Sequence, residues 1–133
     1  MHCHSTDSAD GISSPSEMLS GAEKRGLSFL YLTEHCECPG FMAADGSHGY
    51  VYMKDKIIRS RELLLSSPSC VELPFGIELG QATQERGVAE EIIGSGNYDF
   101  VIGSLHNLKN ELDFSLMKYD SAKECHSMLD RYF

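Results

Sequence analysis

The chain has 133 residues, 41% of them hydrophobic and 23% charged, with 12 Gly and 4 Pro, the size and make-up of one globular domain taken as a single unit, 1–133. Twenty Asp and Glu against 11 Lys and Arg leave a formal net charge of −9, which argues against long nucleic acid as a partner, since backbone binding needs a basic surface. No apolar run approaches the roughly 20 residues that span a bilayer, so no membrane partner is expected, and Met1 leads straight into histidines rather than a signal peptide.

In chain order, the first stretch is "MHCHSTDSADG". His2 and His4 flank Cys3, a spacing that suits a strand end and that a surface tail has no need of. "SSPSEML" announces a helix. Ser14 is a good N-cap, Pro15 a good first helical residue and Glu17 the capping-box partner. Met18, Leu19 and Ala22 give its apolar face, and Gly26 ends it. "LSFLYLT" is a compact apolar run, as in a buried strand, and it ends in Thr33-Glu34-His35. Cys36 to Gly49 is loop. "YMKDKIIRSRELLLSS" is helical, with Ile57, Ile58, Leu64 and Leu65 on one face and Pro68 beyond its end. "VELPFGIELG" is the next strand and carries Glu78 near its C-terminal end. "QERGVAEEIIGSG" is a short helix despite Gly87, "YDFVIGSLH" a fourth strand that delivers His106, and Tyr119 to Phe133 a last helix. This alternation predicts an α/β fold with parallel strands.

Each predicted strand ends in a candidate metal ligand: His2 and His4, then His35, then Glu78, then His106. In parallel α/β architectures the C-terminal strand ends converge on one face, where sites form. Asp10 follows the first strand and reaches the same region. Residues two apart on a strand point to one side, so His2 and His4 can grip one ion while Cys3 faces away. Glu78 has two oxygens and suits a bridge between two ions. Imidazole with carboxylate fits zinc, manganese or iron better than calcium. His48 and His126 lack such a placement and are read as a loop and a helix residue. The five cysteines are odd in number, which speaks against a disulfide framework and for a reducing cytoplasm. Cys36 and Cys38 beside His35 would make a zinc site only with a second ligand pair, and none is evident.

The stretches "HCHSTDSADG", "GLSFLYLTEH", "FGIELG" and "YDFVIGSLH" resemble the PHP (polymerase and histidinol phosphatase) family, and within it the histidinol-phosphate phosphatases. The resemblance implies a distorted (β/α)7 TIM-like barrel with up to three divalent metal ions at its C-terminal strand ends. It implies that His2 and His4 bind the first metal, that Glu78 bridges it to the second, that His106 binds the second, and that Asp10 and His35 bind the third. It also implies the activity: a metal-activated water hydrolyses a small phosphorylated substrate, L-histidinol phosphate to L-histidinol and phosphate in histidine biosynthesis. Clustered ions stabilise such a transition state without a protein nucleophile, so Ser5, Thr6 and Ser104 are read as local hydrogen-bonding residues. Glu34, beside His35, is a candidate to orient a ligand or take a proton.

Another histidine, a final Asp-x-His pair and phosphate-gripping arginines belong to the family pattern after the His106 position, and no such motifs follow it here. The chain therefore reads as the N-terminal part of a PHP barrel, truncated after about four βα units, with self-association as the expected cover for an open flank. Two alternatives stand beside the first reading. One is a PHP phosphoesterase acting on nucleotides or other small phosphoesters. The other is a metal-binding, catalytically inactive fragment.

Overall fold

Ser14 caps the first helix, α1 (Pro15–Lys24), through a full capping box: its hydroxyl accepts the Glu17 backbone N–H, and the Glu17 carboxylate accepts the Ser14 backbone N–H at 2.8 Å. The structure is a computed structural model that describes residues 2–38, 54–66 and 68–133. Arg25 closes the helix and Gly26 turns the chain away at φ +65°, a conformation that costs glycine nothing. Replacing Ser14 with alanine is expected to lower stability by about 1 kcal/mol. A urea unfolding curve identical to the parent's would contradict this.

Three parallel strands form the sheet among the described residues, in the order β1 (Leu32–Glu37), β2 (Phe75–Gly80), β3 (Phe100–Ser104). Between them run α2 (Lys54–Leu65) and α3 (Arg86–Ser95), and α4 (Ala122–Tyr132) follows a short 3-10 turn at Phe114–Leu116. One apolar cluster joins Leu19 and Ala22 of α1 to Leu64 of α2, with Leu30, Val71 and Leu73. A second packs Ile77 and Leu79 of β2 on Ala89 and Ile92 of α3, with Cys36 and Cys38. Ile77 has no exposure at all, so truncating it to alanine removes about 2–5 kcal/mol. The sheet's other face carries Thr33, His35 and Glu37 of β1 and Glu78 of β2, with Phe100 and Ile102 on its β3 side.

The structure departs from the sequence reading at several points. Residues 2–5 are not a strand, so three strands stand where four were expected among these residues. Cys3 does run beside β1, and its carbonyl accepts the Thr33 N–H at 2.9 Å. But its own N–H goes to the Thr33 hydroxyl at 3.1 Å rather than to a strand carbonyl, and the chain then turns through Ser5 and Ser8. β1 also begins later and ends later than "LSFLYLT". Phe29 makes only an isolated bridge to Glu72, and regular pairing starts at Leu32↔Phe75. Pro74 explains the break, because it has no N–H to give to the ladder. Finally, β3 stops at Ser104, two residues before His106. On α2 the buried face is Ile57 and Leu64, while Leu65 is exposed. Most of the expected loop after Cys38, with His48, and the expected start of that helix lie outside the described residues.

Candidate metal centre

The polar groups on one face of the sheet follow from strand period and register. His35 pairs with Glu78 across β1 and β2, and Glu37 pairs with Gly80. Partners in a parallel register point to the same side, so His35, Glu37 and Glu78 share one face. Glu34 faces the other way and is 1% exposed. Its carboxylate accepts the Ser5 N–H at 3.0 Å and the Ser8 hydroxyl, while the Ser8 oxygen accepts the His35 N–H at 2.9 Å. Glu34 thus fastens the segment that carries His4 and Asp10 to β1, from the face opposite the rings of the cluster. Gly11 closes this segment, because a Cβ there would collide with the Ser5 carbonyl. His106 is pinned from the other side: its carbonyl accepts the Phe114 N–H at 2.8 Å.

These placements bring His2, His4, Asp10, His35, Glu78 and His106 together. Glu78 is 3% exposed and sits at the centre. Its Oε2 lies 3.0 Å from His2 Nε2, 2.9 Å from His4 Nε2 and 3.2 Å from His35 Nδ1, and its Oε1 lies 3.0 Å from His106 Nε2. Asp10 Oδ2 is 2.9 Å from His4 Nδ1 and 3.4 Å from His35 Nε2. A seventh residue joins them. Glu37 Oε1 stands 3.0 Å from His35 Nδ1 and 2.8 Å from His106 Nδ1. The sequence reading passed over Glu37, although the two-residue spacing that pairs His2 with His4 also pairs His35 with Glu37.

Electrostatics in the metal-free chain follow from these contacts. Burial pushes the Glu78 carboxyl up, but the His106 hydrogen bond and the charge of His35 outweigh it and bring it to about 2. Burial likewise opposes ionisation of Glu37 and Asp10. Hydrogen bonds from His106 and His35 overcome it at Glu37, and those from His4 with the charge of His35 do so at Asp10, so both sit below the ordinary carboxylate range. Hydrogen bonds to Glu37 and Glu78 lift His106 to about 10 against the effect of burial. His35 is raised too, since Glu37 and Glu78 outweigh its burial.

The donor set fits divalent cations. Three overlapping groups each bring their ligand atoms within 4.8 Å of one another: His2, His4 and Glu78; His4, Asp10 and His35; His35, Glu37 and His106. Glu78 Oε2 is buried and makes no hydrogen bond, although His2 Nε2 and His4 Nε2 stand 3.0 and 2.9 Å from it. Ring nitrogens crowding a carboxylate oxygen without donor alignment are arranged as around an ion, and these donor types suit zinc or a neighbouring transition metal. Cys36 and Cys38 are fully buried in the apolar cluster and belong to none of these groups, and His126 lies exposed on α4. An open cleft of about 440 Å³ adjoins His2, His4 and Asp10, walled by Gly11, Ile12, Ser13 and Met18.

Comparison with known proteins gives one family and one fold. The PHP domain matches residues 1–133. Histidinol phosphate phosphatase from Lactococcus lactis subsp. lactis Il1403, solved in complex with zinc, L-histidinol and phosphate, superposes with a TM-score of 0.69 at 24% identity. The match covers 82% of this chain and 40% of that one, so this chain spans well under two thirds of the neighbour's length. At this identity the likeness speaks for the fold. No curated protein matches the chain.

Proposed function

This chain belongs to the PHP domain family, and from that premise we propose that it is part of a metal-dependent phosphomonoesterase acting on L-histidinol phosphate. The observation that carries the reading is the placement of Glu78, whose Oε2 faces His2 and His4 while its Oε1 faces His106. One carboxylate so placed spans two ion positions, and Asp10 with His35 offers a third. Divalent ions held there supply Lewis acidity toward a phosphoryl oxygen and an acidified water. The residues' part is to hold those charges in fixed geometry: Glu78 and Glu37 are buried, and Glu34 locks the segment that bears His4 and Asp10. Support for this substrate comes from the family branch that the motifs resemble, and the structural neighbour is a histidinol phosphate phosphatase. Five free cysteines support a cytoplasmic setting, and no helix among the described residues is long and apolar enough to cross a membrane. Self-association belongs to the same proposal, since Phe100, Leu129 and Phe133 are exposed. Light scattering on the eluted chain reads it.

A second reading is metal binding without turnover. It is favoured by the cleft beside His2, His4 and Asp10, in whose lining, among the described residues, no arginine or lysine stands to grip a phosphate. Phosphate release from L-histidinol phosphate, a nucleoside monophosphate and an aryl phosphate separates the readings when run on zinc- and manganese-loaded chain. Release that prefers histidinol phosphate and stops on chelation supports the first. Metal content without release supports the second, and a chain that takes up no metal ends both.

Metal uptake carries a pH signature. A proton on His106 must leave before one of its nitrogens is free for a ligand bond, and in the metal-free chain that proton is held up to about pH 10. An imidazole of ordinary pKa, about 6.5, would already be free near pH 8. Zinc affinity should therefore still climb, by up to about tenfold per pH unit, between about pH 7 and 8.5. Calorimetry in buffers of different ionisation heat should show proton release. Affinity that levels off above about pH 7 would show that no ligand has to shed a proton held above the ordinary imidazole range.

A further inference from the structure

Glu37 occupies a cradle built for its carboxylate. It ends β1, is 3% exposed, and lies in register with Gly80 at the end of β2. A Cβ at Gly80 would collide with Glu37 Oε2, so a glycine is required for the carboxylate to lie there. Gln81 follows with φ +58° and no exposure. Turned with its amide nitrogen toward Glu37, its side chain donates to Oε2 and accepts the His106 backbone N–H at 2.9 Å. The other oxygen, Oε1, makes well-formed hydrogen bonds to His35 Nδ1 at 3.0 Å and His106 Nδ1 at 2.8 Å. This contrasts with Glu78 Oε2, which has imidazole neighbours but no hydrogen bond. The remaining ring nitrogens turn toward the other acids: His106 Nε2 to Glu78 at 3.0 Å, His35 Nε2 to Asp10 at 3.4 Å.

We propose that Glu37 is a positioning residue for two ion positions at once: its Oε1 accepts the Nδ1–H of both His35 and His106 and so fixes both rings as Nε2 ligands. This rests on the metal-centre reading and deepens it. A carboxylate that holds a ligating imidazole sets its tautomer and ring angle and raises its basicity. Here one carboxylate does so for rings on two elements, β1 and the segment after β3. It thereby ties the position shared by Asp10 and His35 to the one shared by Glu78 and His106. Gly80 and Gln81 serve that carboxylate, one by leaving room and the other by holding its second oxygen.

The test uses the full chain with nitrogen-15 histidine, loaded with zinc, and reads the tautomers from long-range proton–nitrogen spectra. Two rings should show protonated Nδ1 and zinc-shifted Nε2. Glu37→Gln should weaken zinc binding about 10- to 100-fold, with the same number of ions bound at saturation. Gly80→Ala keeps Glu37 but fills its cradle, and it should weaken binding in the same direction even if Glu37→Gln folds poorly by circular dichroism. Zinc on Nδ1 of either ring, an ion missing from Glu37→Gln at saturation, or parental affinity in both variants would overturn the inference while leaving the metal centre standing. A parent chain that binds no zinc would overturn the metal reading itself.

Discussion

Glu78→Gln should bind zinc at least about 100-fold more weakly than the unmodified chain. Changes to groups that merely support a ligand already cost about 10- to 100-fold, and Glu78 faces two candidate ion positions with its two oxygens. The amide removes the buried negative charge and replaces one oxygen with a nitrogen that offers protons where a ligand atom is needed. Its effect should reach several ions together, because imidazole nitrogens of His2, His4, His35 and His106 all lie within 3.2 Å of that carboxylate. His126→Gln, an exposed change on α4, is the control and should leave uptake unchanged. The metal-free chain gives an independent readout. The Glu78 pKa is depressed from 4.5 to about 2, so its contribution to stability is complete above about pH 4.5 and is lost as pH falls toward 2. Parent and variant should therefore converge in stability across that acid window. Equal zinc content in Glu78→Gln and His126→Gln, by elemental analysis of folded protein, would remove Glu78 from the centre.

The parts of the fold that local chemistry dictates were legible in the chain. Ser14, Pro15 and Glu17 specify the start of α1 within four residues, and no distant contact is needed to read them. The parallel sheet followed from alternating apolar runs and helical faces. Strand ends were less legible, because ladder pairing is a property of two segments. Pro74 sits in the second strand's sequence, yet it also delays the start of β1, its neighbour. Residues 2–5 show the same dependence: the Thr33 hydroxyl takes the Cys3 N–H, and that choice is invisible from either segment alone. The grouping that makes the candidate site was legible from spacing and element order at His2, His4, Glu78 and His106, which the fold brings together. Glu37 was within reach of the same spacing rule, but its cradle was not. That Gly80 makes room for Glu37 depends on the register of β1 against β2.

Glu34→Ala should cost about 3 kcal/mol of stability and weaken zinc binding without removing an ion at saturation. The stability term comes from burial. Glu34 is 1% exposed, and its carboxylate accepts the Ser5 N–H and the Ser8 hydroxyl inside the fold. Hydrogen bonds to a charged acceptor contribute about 1.5–3 kcal/mol, and a buried N–H left without a partner costs about 1–3 kcal/mol. The binding term is indirect. Ser5 and Ser8 lie on the segment that holds His4 and Asp10, and Ser8 also accepts the His35 N–H, so loosening them spreads the positions of three ring or carboxylate groups. Glu34→Gln should recover part of both losses, because an amide oxygen can still accept the Ser5 N–H. Side chains that are ligands themselves should behave differently: Glu78→Gln should fail to reach the parental ion count, whereas Glu34→Ala should reach it at higher zinc. Urea unfolding of metal-free protein and zinc titration of the same samples measure the two effects separately. A Glu34→Ala chain as stable as the parent within about 0.5 kcal/mol would show that the segment is held by something other than this carboxylate. A lost ion at saturation would instead make Glu34 a ligand, on a face of β1 that points away from every ring in the cluster.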